Sequence, residues 1–243
     1  MRSLVVGATA GLGRSLASHL AARGSNVVLA GRDEADLQRV ASDVRARYGV
    51  SVEVVIADAS VPIDLGTTLT RALAGGPIDV AMLPLGISIE GDSVDGDPKR
   101  AVELVTVNLL GTITASMAVA NIMRTQGHGV IIGFSSIAAT RGRARNAAYA
   151  AAKRGVESWF ESLRSDLVGS GVGVAWYVLG YLATNLSYGQ HLPLPAADVD
   201  RVASRIVRQI GSARGRQFAP SWWRIVAGLI RHLPFGVFRR LKT

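Results

Sequence analysis

Six short apolar runs punctuate this chain, and helical stretches fill the gaps between them. The runs are Leu4–Gly7, Val27–Ala30, Val52–Ala57, Val80–Leu85, Val130–Phe134 and Val172–Leu179; the helical stretches lie near 12–23, 34–47, 62–74, 99–126 and 146–169. A strand that is apolar throughout, rather than alternating, has both faces buried, and a helix between successive strands supplies the cover. The pattern predicts an α/β domain with a mostly parallel sheet and helices on both faces. A seventh, shorter strand is expected at Gln217–Ala219, before a final helix. The 243 residues suffice for one large domain with a substantial core, and no repeat, low-complexity tract or linker divides them. No run reaches about 18 consecutive apolar residues, so no membrane-spanning helix is expected. A secretory leader is not expected either, because the first strand runs straight into a glycine turn that the mature protein needs.

That turn reads Gly7-Ala-Thr9-Ala-Gly11-Leu12-Gly13, and a helical stretch follows it. Glycines at this spacing let a strand-to-helix turn close and bring backbone N–H groups to a phosphate at the helix N-terminus. The position, directly after a strand, marks a dinucleotide site with Gly7, Thr9, Gly11, Leu12 and Gly13 as cofactor contacts. Arg14 comes next, facing either the cofactor or solvent. The second strand ends Ala30-Gly31-Arg32-Asp33. An acid at that tip binds the ribose 2′-hydroxyl of NAD, whereas an Arg accommodates the 2′-phosphate of NADP. Arg32 therefore favours NADP(H), with NAD(H) the alternative, and Asp33 is suited to capping the next helix. Asp58, after the third strand, is placed either to accept a hydrogen bond from the adenine amino group or to cap a turn.

Four polar residues carry the chemistry: Asn108, Ser136, Tyr149 and Lys153. Tyr149 and Lys153 are four apart and share one helix face. An ammonium beside a phenol favours the phenolate and is expected to lower its pKa, making the phenol a usable proton donor and acceptor. The chain has no cysteine, which excludes disulfides, Cys-ligated metals and Cys nucleophiles and fits a reducing, cytoplasmic compartment. No metal site is expected.

These pieces resemble the short-chain dehydrogenase/reductase family along the whole chain. The matching segments are Gly7–Gly13, Asp58, Val107-Asn108-Leu-Leu-Gly111, Ser135-Ser136, Tyr149-Ala-Ala-Ala-Lys153 and Gly180-Tyr-Leu-Ala-Thr184, with 28 residues from Asn108 to Ser136 and 13 from Ser136 to Tyr149. The resemblance implies a single doubly wound Rossmann domain over residues 1–219, with a basic amphipathic extension over 220–243. It also implies the roles. Tyr149 is the general acid in ketone reduction, and Lys153 holds the nicotinamide ribose. Ser136 stabilises the substrate oxygen, with Ser135 as its competitor. Asn108 holds a water that relays protons to Lys153, unless it is a buried Asn satisfied by backbone groups. Thr184 touches the carboxamide. Subunit contacts through 99–126 and 146–169 are implied too, giving a homodimer or homotetramer. Two departures stand out. Leu83-Pro84-Leu85-Gly86 replaces the family's Asn-Asn-Ala-Gly, keeping Gly86 for close cofactor approach, and Leu179-Gly180 replaces Pro-Gly.

The net charge of +9 is unevenly placed. Residues 1–200 hold 17 Lys and Arg against 18 Asp and Glu, whereas residues 201–243 hold 10 Lys and Arg and no acid. The tail interleaves Trp222, Trp223, Phe235 and Phe238 with Arg224, Arg231, Arg239, Arg240 and Lys242. That composition suits an interfacial amphipathic segment, with packing on the domain or a sister subunit as the competing reading. Ser221 is expected to cap a helix starting at Trp222, Pro234 to limit it, and a second short turn to follow. Arg141, Arg143 and Arg145 lie between Ser136 and Tyr149, where they can clamp a phosphate or form a solvated loop. The loop Glu90–Pro98 reads as plain surface.

The Arg stretch and the tail resemble a branch of the family that reduces a keto sugar on a polyprenyl phosphate. In that branch a flavin oxidase supplies the ketone, and contact is expected at the inner face of a membrane. The alternative substrate is a soluble apolar ketone: a steroid, polyketide or acyl intermediate. A nucleotide-binding scaffold without catalysis is disfavoured by the intact tetrad, and no nucleic-acid motif is present, so no nucleic-acid partner is expected.

Overall fold

The structure is a computed structural model and describes residues 1–89, 91–183 and 194–239. Among these residues, seven strands form one sheet in the order 3-2-1-4-5-6-7. They are β1 (Arg2–Val6), β2 (Asn26–Gly31), β3 (Val52–Ile56), β4 (Val80–Leu83), β5 (Gly129–Ser136), β6 (Val172–Leu179) and β7 (Gly215–Ala219). Every neighbouring pair is parallel, so the expectation of a mostly parallel sheet is met in full. Helices α1 (Gly11–Ala21), α2 (Glu34–Tyr48), α3 (Pro62–Leu73), α4 (Pro98–Val105), α5 (Gly111–Gln126), α6 (Ala147–Asp166) and α7 (Val199–Arg208) cover both faces. The side-chain period of two along β1 divides the core. Val5 points into the layer with Leu16 and Leu20 of α1, Leu37 of α2 and Ile206 of α7. Leu4 and Val6 point into the layer with Leu65 of α3, Val119 of α5 and Phe160 of α6.

The sequence reading placed no helix between the sixth and seventh strands, and α7 fills that gap. A parallel return needs a crossover, and Asp198 caps its helix by accepting the Arg201 N–H at 2.8 Å. Val202, Ala203, Ile206 and Val207 form the buried stripe. Strand β5 also runs two residues beyond the apolar run, which sets Ser136 at its C-terminal end, paired with Leu179.

The stretch Pro98–Gln126 has the length and apolarity of a membrane span, but half of it is buried and α5 packs in the layer beneath the sheet. Between α4 and α5 lies one π-helical turn, Thr106–Leu110.

The tail folds back on the body as α8 (Trp223–His232) and α9 (Phe235–Phe238). The short turn after Pro234 is present. The expected Ser221 cap is not: Trp222 occupies the cap position, with no side-chain cap bond. Packing holds this helix start instead, because Trp223 is buried against Ile137, Tyr181 and Phe218.

Candidate active site

The strand order reverses between β1 and β4, so the loops leaving these two strands diverge and open a crevice at the carboxyl edge of the sheet. The glycine turn lines it. Gly7 and Gly11 have φ of 92° and 50°, which favours glycine, and a Cβ on Gly13 would lie 1.9 Å from the Gly7 carbonyl oxygen. Only a hydrogen at residue 13 lets α1 start against β1. Leu12 is buried beneath the turn, while Arg14 is exposed. Thr9 reaches over the tip of β2, where a Cβ on Gly31 would meet its Cγ2 at 3.4 Å. Arg32 stands exposed beside it, and Asp33 caps α2 by accepting the Asp36 N–H at 2.8 Å. Asp58 accepts the Ser60 N–H at 2.8 Å, the turn-capping role.

Three segments bring the tetrad together: β5, α6 and the π-helical turn. Ser136, at the end of β5, and Tyr149, in the first turn of α6, come together, with the Ser136 hydroxyl near enough to the phenol to favour its ionised form. Lys153, one turn later, is buried; its Nζ donates to the carbonyls of Leu85 at 2.8 Å and Phe134 at 3.3 Å. Asn108 sits in the π-helical turn, fully buried, and its Nδ2 donates to the carbonyls of Ile87 and Leu104, both at 3.0 Å. Its Oδ1 has no protein partner among the described residues. A Cβ on Gly86 would lie 2.9 Å from that Oδ1 and 3.1 Å from Lys153 Nζ. Only a hydrogen at residue 86 lets these two side chains pack so closely on the backbone.

The competing Ser135 faces away. It is buried with its Oγ 3.0 Å from both the Lys153 carbonyl and Glu157 Oε1, and Glu157 is paired with Arg216 at 2.7 Å. Strand alternation puts one serine into the packing of α6 and the next into the crevice.

The expected lowering of the phenol pKa is reversed. Burial pushes Tyr149 above its ordinary value, opposed by the Ser136 hydrogen bond. The Lys153 ammonium points at two backbone carbonyls, with Nζ 5.9 Å from the Tyr149 ring centre, and burial lowers its own pKa to about 8. Loss of hydration outweighs the charge that sequence spacing alone suggested.

Asp92, in the loop read as plain surface, is a buried part of the site. Its carboxylate accepts the N–H of Ala148 and of Tyr149, each at 2.9 Å, and its carbonyl accepts the Asn146 N–H at 2.7 Å. Asn146 has φ of 59° and gives α6 no side-chain cap. A remote carboxylate therefore satisfies the first turn of α6, which carries Tyr149. The acid sits in sequence as one of several in a Gly-rich loop, and nothing local distinguishes it.

The Arg stretch is divided. Arg141 donates to the carbonyls of Ile230, at 3.3 Å, and Leu233, and lies 4.2 Å over the Phe238 ring. It holds the C-terminal end of α8, so it is not the phosphate ligand that the sequence suggested. Arg143 is half-buried and Arg145 exposed. Gly180 has a local reason as well: a Cβ there would lie 1.8 Å from Trp223 Nε1. The glycine that this chain keeps from the family's Pro-Gly thus has an indole resting on its backbone. Thr184 lies outside the described residues.

This crevice fits a nicotinamide dinucleotide. Left-handed glycines line the turn, Gly86 tolerates only a hydrogen, and a buried amide oxygen of Asn108 is left without a partner among the described residues. An uncharacterized oxidoreductase in the mprA 5′ region of Streptomyces coelicolor is 31% identical, covering 98% of this chain and 94% of its own. The very-long-chain 3-oxoacyl-CoA reductase of Podospora anserina is 32% identical over 75% of this chain and 54% of its own. A solved structure, a proposed NAD(P) dependent gluconate 5-dehydrogenase from Beutenbergia cavernae with bound NADP, superposes with a TM-score of 0.83 at 26% identity, covering 92% of this chain and 96% of that one. Residues 2–191 match the short chain dehydrogenase family, and with the sheet order and the glycine turn this makes the chain a member of the short-chain dehydrogenase/reductase family of NAD(P)-dependent oxidoreductases.

Proposed function

We propose that this oxidoreductase uses NADPH to reduce a ketone to a secondary alcohol, with Tyr149 as proton donor. The observation that carries the reading is the convergence of the Ser136 and Tyr149 side chains at the carboxyl edge of the sheet, with Lys153 and Asn108 packed around Gly86 close by. Bound NADPH supplies the hydride, which adds to the carbonyl carbon. Tyr149 holds a proton on its phenol oxygen and delivers it to the substrate oxygen. Ser136 donates a hydrogen bond to that oxygen as negative charge develops there. Lys153 holds the ribose hydroxyls, and the unpartnered Asn108 Oδ1 holds a water that returns a proton to the Lys153–Tyr149 pair. Gly7, Thr9, Gly11, Leu12 and Gly13 cradle the pyrophosphate, Asp58 faces the adenine, Gly86 admits the nicotinamide half and Thr184 its carboxamide. Arg32 reads the 2′-phosphate; the solved relative with bound NADP supports this. Arg32→Ala is expected to raise KM for NADPH about tenfold or more and to leave NADH kinetics nearly unchanged.

The substrate reading is a keto sugar on a polyprenyl phosphate. The tail run Ile230–Leu241 resembles that of decaprenylphosphoryl-2-keto-ribose reductase, whose pathway partner is a flavin oxidase. Arg143 and Arg145 remain for the phosphate. Residues 1–219 act as the catalytic domain and 220–243 as a basic extension of it, with the enzyme working at the cytoplasmic face of a membrane. The exposed Val102, Leu110 and Met117 support a homodimer or homotetramer through the α4–α5 face. A second reading, reduction of an acyl ketone, is favoured by the 3-oxoacyl-CoA reductase relative. Product analysis with NADPH and a keto sugar, with and without a polyprenyl phosphate, against a 3-oxoacyl thioester decides between them. Reduction of the thioester alone overturns the sugar reading, and reduction of neither overturns both.

A further inference from the structure

Helix α8 is apolar on two faces. Trp223, Val226 and Ala227 pack inward. Trp222, Ile225 and Leu229, spaced three and four apart, form a second stripe that faces outward, with Ile225 68% and Leu229 65% exposed. Phe235, 70% exposed, and the exposed Val237 follow it. A helix that is apolar all round belongs where both faces are covered. Arg224, Arg231, His232 and Arg239 are exposed around the stripe, and no acid occurs after Asp200.

We infer that this surface, Trp222 to Val237, seats on an anionic lipid bilayer. Apolar side chains ringed by cations are what the boundary between headgroups and acyl chains accepts. A second copy of this chain is the poorer occupant: a two-fold contact through the same patch brings the exposed Arg224, Arg231 and Arg239 of both copies into one interface, with no carboxylate in the tail to offset them. The surface is also fixed in place. Trp223 is seated on Gly180, and Arg141 holds the far end of α8 while stacking on Phe238. Helix α8 packs on the 3-10 turn Ile137–Thr140, which begins one residue after Ser136. Seating the patch on a bilayer therefore holds the catalytic crevice close to the lipid surface, where a lipid-carried ketone is found. The inference deepens the reading of a lipid-linked substrate and rests on it for purpose, but its measurement needs no turnover.

The test is co-sedimentation of the full chain with phosphatidylcholine vesicles, with and without phosphatidylglycerol, comparing wild type with the double variant Leu229→Ser/Phe235→Ser. Wild type is expected to bind the anionic vesicles, to bind less as salt rises, and to lose binding on the order of tenfold or more in the variant. Both substituted residues are exposed, so the fold and the reduction of a soluble ketone should be unchanged. No binding to anionic vesicles, or equal binding by the variant, overturns the inference. So does a variant that merely splits an oligomer in sedimentation velocity while neither protein binds lipid, which would assign the patch to a second copy. Vesicle binding without any ketone reduction supports this surface and counts against the proposed reaction alone.

Discussion

The carboxylate of Asp92 accepts the backbone N–H of Tyr149 at 2.9 Å across 57 residues of sequence. The loop after β4 and the catalytic helix are thereby one mechanical unit, and the same loop begins with Gly86, beside Lys153 and Asn108. The register of the phenol relative to Ser136 depends on that unit.

Asp92→Ala should lower kcat about 10- to 100-fold while changing KM for NADPH little, because the glycine turn is untouched. The two lost caps should cost about 1–3 kcal/mol in denaturant unfolding. Asp92→Asn keeps one acceptor oxygen and should fall between. A kcat unchanged in the Ala variant would show that α6 holds its first turn unaided.

Tyr149→Phe removes one oxygen and leaves the ring in place. Turnover should drop by about 10²–10⁴. Cofactor affinity, followed by NADPH fluorescence, should stay within about threefold. Retained turnover would remove Tyr149 from the chemistry.

The buried Lys153 ammonium titrates near pH 8 rather than at its ordinary 10.5. If its charge holds the cofactor and tunes the phenol, kcat/KM for ketone reduction should fall as pH rises through about 8, and Lys153→Met should lack that limb. The stability effect has the opposite sign. Between pH 8 and 10.5 the unfolded chain binds more protons at this lysine than the folded one, so its burial penalty, complete below about 8, is relieved as pH rises. Activity and melting temperature measured from pH 6 to 10 separate the two effects.

Gly180→Ala drives a methyl into Trp223, which is 2% exposed. Overpacking there should cost about 1–3 kcal/mol and loosen α8. The readout is a red shift of tryptophan fluorescence. With Tyr149 and Ser136 untouched, kcat on a soluble ketone should stay within about threefold of wild type.

Much of the fold was legible because its signals are local. Apolar runs, helix periods and the spacing from Gly7 to Gly13 each describe a few consecutive residues, and they located six crossed-over strands and the tetrad segments. Helix α7 carries the same kind of local signal, with Val199, Val202, Ala203, Ile206 and Val207 at helical spacing behind the Asp198 cap. The spacing to Tyr149 favours Ser136 over Ser135. The alternation of β5 separates them, by turning Ser135 toward Glu157.

The alternation of strands and helices through α6, the glycine turn and the candidacy of four polar residues were legible in the sequence, since each follows from chemistry carried by near neighbours. Tertiary structure decided the rest. It brought Asp92 to the start of α6, turned Arg141 from a phosphate ligand into the anchor of α8, and set the Tyr149 and Lys153 pKa values by burial. These depend on which distant groups meet and how much water is excluded when they do, and neither is written in the spacing of residues along the chain.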